Sequence, residues 1–165
     1  MTTDMDELIE LIAGEADCNL LPPSGLPEVE IDHVIPNDLA HFYRVCGGAV
    51  LFESSPYRTT IWTPATFTLA NPVIVGERGE YDLSSSWYIV ADASNRIYVT
   101  IDLQPERLGR CYDSSMGRHG NPGSCPIIAR SFSEFLNNSF RERGKYLYWL
   151  EGEFFSLGDA YDETN

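Results

Sequence analysis

Basic side chains are missing from both ends of this 165-residue sequence. No Lys or Arg precedes Arg44 and none follows Lys145, whereas these two ends together hold fifteen acidic residues. The formal net charge is −14. Nucleic-acid binding relies on Lys and Arg that neutralise phosphates, so this distribution argues against a nucleic-acid partner. The natural complement is a protein with a basic surface, although acidic ends also keep a protein soluble without any partner.

Long apolar runs and targeting signals are also missing. The N-terminal stretch MTTDMDELIELIAGE has no basic residue, and acids interrupt its apolar positions, so we expect neither a signal peptide nor a transmembrane span. A cytoplasmic protein without membrane association is therefore expected. Length and a hydrophobic content of 43% predict a single domain over residues 1–165. Within it we distinguish an acidic lead-in, about 1–34, and an acidic tail, about 146–165.

Cysteine and histidine patterns of metal sites are absent. The four cysteines form no C-x-x-C pair, and His33, His41 and His119 do not complete a zinc-ligand spacing with them. We therefore predict no metal and no other cofactor. Because a cytosolic protein is expected, its four cysteines are expected to be reduced. The alternative, two disulfides, applies only if the chain is exported.

Signatures of catalysis are equally scarce. No G-x-S-x-G motif occurs, and each histidine falls in a predicted loop or on a predicted helix. The acids of GERGEYD, which are Glu77, Glu80 and Asp82, would suit acid–base chemistry only inside a cleft, and the neighbouring glycines favour a solvated loop. We predict that the protein is not an enzyme. A carboxylate site that uses Glu77, Glu80 or Asp113 is the alternative.

The sequence does contain clear helix patterns. A first helix is expected to be capped by Thr3, and a second begins at Pro36 with an apolar face at helical spacing. Gly47 and Gly48 then end the second helix, because a glycine can adopt the left-handed conformation that reverses the chain into a strand. A third helix begins at the S-x-x-E capping box of Ser131.

Strand patterns fill the middle of the chain. Six short stretches are rich in β-branched or aromatic residues, several of them alternating: AVLFE, YRTTIWT, SWYIVA, RIYVTIDL, GRCYDS and CPIIARS. Because their connections are short, they predict a mostly antiparallel sheet. The fold class expected is α+β, with a central sheet of about six strands and helices packed on one side.

Aromatic residues accompany the acids. They make up 12% of the chain, and the tail that starts KYLYWLEGEFF is expected to dock while leaving Tyr146, Tyr148 and Trp149 partly exposed. Aromatic anchors within a polar rim are typical of protein interfaces. The predicted partner-binding residues are Tyr57, Trp62, Glu77, Glu80, Tyr81, Asp82, Asp113, Tyr148 and Trp149.

Three blocks of the sequence resemble the SUKH superfamily. They are IPNDLAHFYRVCGGAVLF, SWYIVADASNRIYVTIDLQPERLGRCYDS and IIARSFSEFL, and together they span about residues 35–136. The resemblance implies an α+β fold with a central antiparallel sheet. For bacterial members it implies an immunity protein that binds and neutralises a toxin, often a nuclease, delivered by neighbouring cells. Fungal relatives regulate cell-wall synthesis and signalling through protein contacts, so an intracellular regulatory scaffold is the alternative.

The resemblance and the charge agree with each other. The family offers no catalytic residues to transfer to this chain. A nuclease must attract polyanions, so an acidic inhibitor would be steered to the same basic surface. The combined prediction is a non-catalytic immunity protein whose partner is a polymorphic toxin domain with a basic surface.

Overall fold

The structure, a computed structural model, describes residues 4–94 and 96–162. The described residues form four α-helices: α1 (Met5–Ala13), α2 (Asn37–Val45), α3 (Ala70–Ile74) and α4 (Phe132–Glu142). Helices α1, α2 and α4 are the three that the sequence predicts. The short helix α3 was not predicted, because its five residues include a proline and are too few to show a helical repeat.

The strands form one antiparallel sheet. Its members are β1 (Asn19–Leu20), β2 (Ala49–Leu51), β3 (Thr59–Ile61), β4 (Thr68–Leu69), β5 (Trp87–Ala93), β6 (Ile97–Asp102), β7 (Cys111–Asp113) and β8 (Ile127–Ala129). The order is β1-β2-β3-β5-β6-β7-β8, and β4 pairs with β5 as well. The α+β class is confirmed. The strand count exceeds the predicted six because β1 and β4 have only two residues each.

The main core lies between one face of the sheet and helices α1, α2 and α4. Strand β6 contributes Val99 and Ile101, and Leu103 follows on the same face, as their alternation predicts. The helices contribute their apolar faces, whose buried members are Met5, Leu8, Ile9, Ile12, Leu39, Phe42, Tyr43, Phe132, Phe135 and Leu136. Burial of these side chains out of water supplies the main stabilising free energy of the fold.

The three predicted helices pack on one side of the sheet, as expected, and the opposite face is partly covered as well, by α3 and the tail. Trp87, Ile89 and Tyr112 form a second buried cluster there, with Ala70 of α3 and Ala160 of the tail. The rings of Trp87 and Tyr112 stack at a centroid distance of 4.2 Å. The tail is therefore part of the core on this face, which its polar and acidic composition did not suggest.

Helix caps agree with the sequence in part. Thr3, the predicted cap of α1, lies outside the described residues, and the Asp4 carboxylate accepts the hydrogen bond from the Asp6 amide. At α4 the Ser131 hydroxyl accepts from the Glu134 amide at 3.1 Å. The Glu134 carboxylate reaches back to the amide of Arg130. The amino-terminal ends of α1 and α4 thus each have a side-chain oxygen that accepts from an otherwise unpaired backbone amide.

The glycine pair after α2 solves a problem of space as well as of backbone conformation. The chain is already extended at Cys46, with φ −145° and ψ 160°. A Cβ on Gly47 would lie 2.2 Å from the carbonyl oxygen of Pro22, so only glycine allows the lead-in to cross here. Gly48 has a φ of 128° and leads into β2. Of the two, only Gly48 has the predicted positive φ.

The lead-in is fastened to the rest of the fold by hydrogen bonds. The Val34 amide donates to the Leu103 carbonyl at 3.0 Å, and the Glu30 amide donates to the Tyr88 hydroxyl at 3.0 Å. Near α1, Glu15 accepts two bonds from the Arg143 guanidinium, at 2.8 and 3.1 Å. That hydrogen-bonded pair lowers the pKa of Glu15.

Candidate functional site

Three of the predicted partner-binding residues are buried. Asp113, Tyr148 and Trp149 expose only 2%, 7% and 8% of their surface, so the expectation that the two tail aromatics stay partly exposed is wrong. The Trp149 indole donates to Asp113 Oδ2 at 2.9 Å, and the Tyr148 hydroxyl donates to the Ile128 carbonyl at 2.6 Å. Burial raises the pKa of Tyr148 well above its ordinary value. These side chains hold the tail against β7 and β8.

The acidic loop before β5 presents its side chains to solvent, as predicted. Glu77 and Glu80 are exposed, and Tyr81 is 100% exposed. Arg78, between them, forms a bidentate ion pair with Glu30 that joins this loop to the lead-in. That hydrogen-bonded pair lowers the pKa of Glu30. The loop therefore has a fixed attachment and a free acidic edge.

Asp82 differs from the other acids of this loop because it has a structural role. Its carboxylate accepts from the Ser84 amide at 2.9 Å and from the Tyr161 hydroxyl at 2.7 Å, and it caps the 3-10 turn Leu83–Ser86. Desolvation alone would raise the pKa of Asp82, but these hydrogen bonds outweigh it and the pKa is lowered. A substitution here would disturb the tail as well as the surface charge.

The two remaining aromatics lie on separate surfaces. The Trp62 indole donates to Asp92 Oδ2 at 2.7 Å, and its ring meets Tyr98 edge-on at 6.0 Å on the partly open sheet face. Tyr57 lies instead beside Gly144, whose carbonyl accepts from the Tyr57 amide at 3.0 Å. The nine predicted residues thus do not form one contiguous site.

A buried polar centre that the sequence analysis missed surrounds Asp102. This carboxylate has no exposed surface. Oδ2 accepts from the Trp87 indole, the Tyr112 hydroxyl and the Arg107 guanidinium at 3.1, 2.7 and 2.9 Å, while Oδ1 accepts from the Ser86 hydroxyl at 2.7 Å. The one available signal was position, because Asp102 faces Trp87 in the β5–β6 register. Every donor is internal, so the centre stabilises the fold.

A second buried polar group is His119. Its Nε2 lies 2.6 Å from Asn71 Oδ1, and Nδ1 has no hydrogen-bond partner among the described residues. Desolvation lowers the pKa of His119 to about 4. The ring is therefore neutral at physiological pH. It packs edge-on against Trp87 at 5.5 Å, which places it in the second core cluster.

The chemistry of catalysis and of metal binding finds little support in this geometry. Within residues 4–94 and 96–162, no group of three or more His, Cys, Asp or Glu side chains is arranged to hold a metal ion. Burial raises the pKa of Cys46 to about 11 and that of Cys125 to about 12, so both remain protonated thiols at neutral pH. Asp113 is buried whereas Glu77 and Glu80 are exposed.

One concave surface was not predicted. A groove of about 550 Å³ lies between the last turn of α4 and the segment after it, with Arg141 and Glu142 on one side and Tyr146, Glu151, Glu153 and Phe154 on the other. We call it the α4 groove. Sequence spacing could not reveal it, because the groove depends on how the tail reverses after the helix.

In the described ranges, no helix is long and apolar enough to cross a membrane.

Comparison with known proteins defines the class. The chain is 48% identical over 158 residues to the immunity protein YokJ of Bacillus subtilis (strain 168), an alignment that covers 96% of each protein. The family model described as SMI1 / KNR4 family (SUKH-1) matches residues 28–138. The chain belongs to the SMI1/KNR4 (SUKH-1) family. No solved structure gives a significant match.

These findings confirm the resemblance that the three sequence blocks carried. They also bear out the predicted class of function, a bacterial immunity protein of the SUKH type. The family match begins within the lead-in and ends inside α4, whereas the alignment with the immunity protein extends over nearly the whole chain.

Proposed function

We propose that this chain protects a bacterial cell by binding a toxin domain with a basic surface, of the nuclease type, and blocking it without chemistry. The observation that carries the proposal is the 48% identity to an immunity protein over nearly the full length of both chains. The net charge of −14 supports a basic partner.

Electrostatic steering is the physical basis for the type of partner. A nuclease must present cationic groups to bind phosphates. An inhibitor with an excess of exposed carboxylates is attracted to the same groups, which raises the association rate before any close contact forms. Glu77, Glu80 and the exposed ring of Tyr81 supply one such edge, and we propose that they face the incoming toxin.

The proposal requires binding only. The raised pKa values of the Cys46 and Cys125 thiols and the burial of Asp113, in contrast to the exposed Glu77 and Glu80, argue against these groups as a catalytic site and so support inhibition by binding alone. The four free cysteines support a reducing compartment, so we place the complex in the cytoplasm, where a nuclease toxin would act. The lead-in and the tail are proposed to belong to the same single domain.

The experiment is affinity capture with the protein encoded by the adjacent gene, in a catalytically dead form. The tagged chain is expected to retain this protein at low salt and to release part of it at high salt, because the encounter is electrostatic. Failure to form any complex would contradict the proposal. Capture of housekeeping or signalling proteins instead would favour the regulatory scaffold, which the same family also includes.

A further inference from the structure

The α4 groove has a fixed shape. The chain leaves α4 through Arg143, which has a φ of 56°, and through Gly144, whose Cβ would lie 2.5 Å from Ser55 Cβ. The segment then places Tyr148 and Trp149 in the core. Phe154 returns to meet Tyr148 edge-on at 5.6 Å, which holds the far side of the groove in place. A preformed groove loses little conformational entropy when a partner binds.

The charge of the groove is unbalanced. Glu151 and Glu153 are exposed and Glu142 is partly exposed, and none of these carboxylates has a hydrogen-bond or ion-pair partner within the described part of the chain. Among the described residues that line the groove, Arg141 is the one cation, and it donates to Asn138 Oδ1 at 2.6 Å. Glu142 also lies at the carboxyl end of α4, where the helix dipole is negative and disfavours a carboxylate. A cation in the groove would offset the repulsion among these carboxylates. It would also offset the unfavourable interaction of Glu142 with the helix dipole.

Apolar side chains border these acids. Tyr146 lines the groove and is more than half exposed, and Phe154, which also lines it, is partly exposed. Tyr57 lies beside Tyr146 at the neighbouring end of the groove, where the two rings line one small depression. Large exposed apolar groups next to unpaired charges are typical of a surface that is covered by a partner. The groove therefore combines anchors for apolar contact with acids for specificity.

We infer that the α4 groove is the docking surface for the toxin, and that it takes a Lys- or Arg-bearing protrusion of the toxin's basic face. The occupant follows from charge complementarity, because the described lining of the groove has three carboxylates without an ion-pair partner and one arginine. The inference rests on the proposed function, and it assigns close contact to the groove while the loop of Glu77 and Glu80 acts at longer range.

The test measures binding of the catalytically dead adjacent-gene toxin by surface plasmon resonance. The charge reversal E142K/E151K/E153K is expected to raise the Kd at least tenfold, with part of the change in the dissociation rate. The matched control is E7K/E10K/E53K, which changes net charge equally at three acids outside the groove, of which Glu7 and Glu10 lie on α1. That control is expected to change the Kd less than threefold and through association alone.

Apolar contact is tested separately. Y146A is expected to speed dissociation at least fivefold, whereas M116A, which removes an exposed apolar side chain outside the groove, is expected to leave it unchanged. Normal thermal unfolding of each variant would show that the groove variants remain folded. Binding that is unaffected by E142K/E151K/E153K and by Y146A would overturn the inference while leaving the proposed function intact.

Two further outcomes are distinguishable. If the wild-type chain does not bind the toxin at all, the proposed function fails and the inference fails with it. If light scattering shows a wild-type dimer that Y146A converts to a monomer, the occupant is a second copy of this chain, and the assignment to the toxin is overturned.

Discussion

The Trp149 indole donates a 2.9 Å hydrogen bond to Asp113 Oδ2 while both side chains are buried. This hydrogen bond joins the tail to β7. The Arg118 guanidinium approaches the same Asp113 carboxylate at 3.6 Å. The pair explains why an aromatic, acidic tail packs against the sheet. It also shows that Asp113 and Trp149, an acid and an aromatic of the kind predicted to bind a partner, form part of the core.

Removing the Asp113 carboxylate is expected to destabilise the fold. D113A leaves the Trp149 donor buried and unpaired, which should lower the free energy of unfolding by about 2–3 kcal/mol. D113N retains an acceptor of the same shape and should cost about half as much. Urea unfolding followed by tryptophan fluorescence measures both. A D113A midpoint equal to that of the exposed-loop control E80A would show that the bond contributes nothing.

A side chain at position 47 should be poorly tolerated. The Cβ of G47A would lie 2.2 Å from the Pro22 carbonyl oxygen, so the lead-in must shift or the corner must open. Such overpacking typically costs about 1–3 kcal/mol. G152A is the matched control, because its Cβ meets no atom within 4 Å. Thermal unfolding should separate the two variants, and equal midpoints would contradict the close approach of the lead-in.

Acid should weaken the fold through His119. Its folded-state pKa of about 4 lies below its ordinary value of about 6.5, so between these values the unfolded chain binds a proton that the folded chain excludes. Stability therefore falls as the pH falls, and between pH 7 and pH 5.5 this histidine should account for about 1 kcal/mol of the loss.

The variant H119Q isolates that contribution. Glutamine keeps a donor for Asn71 Oδ1 but cannot be protonated, so its free energy of unfolding should fall less than that of the wild type over the same pH interval. Urea titrations at the two pH values give the comparison. Parallel losses in both proteins would mean that the proton is taken up elsewhere.

Charge reversal in the acidic loop should act on association. We expect E77K/E80K to lower the association rate with the dead toxin about threefold to tenfold and to leave dissociation almost unchanged. Asp82 is left intact because its carboxylate caps the next turn and binds Tyr161. The neutral variant E77Q/E80Q should give an intermediate rate. Equal association rates for all three proteins would refute the placing of the steering surface at this loop.

The sequence was informative wherever local pattern decides structure. The alternation from Ile97 to Leu103 gave the central strand and its buried face, and the capping box gave the start of α4, because both depend on neighbours in sequence. The three blocks that resemble the SUKH superfamily identified the family because they contain the hydrophobic pattern of the fold, which is also read from neighbours in sequence.

Sequence reasoning failed where long-range contacts decide. Burial of Trp149 depends on Asp113, 36 positions away, and the Gly47 corner depends on Pro22 crossing over it. The α4 groove exists because the chain reverses at Arg143 and Gly144 and returns at Phe154. Composition identified acids and aromatics as an interaction surface, but only the three-dimensional arrangement separates those that pack inward from those that remain exposed.

The most direct test of the account is protection of living cells. The active toxin domain encoded by the adjacent gene is induced in a bacterial host together with this chain, and surviving colonies are counted against cells that carry the dead toxin. The account predicts that survival matches the dead-toxin level. Killing equal to that with an empty vector, with both proteins present at normal levels, would contradict the claim that this protein confers immunity.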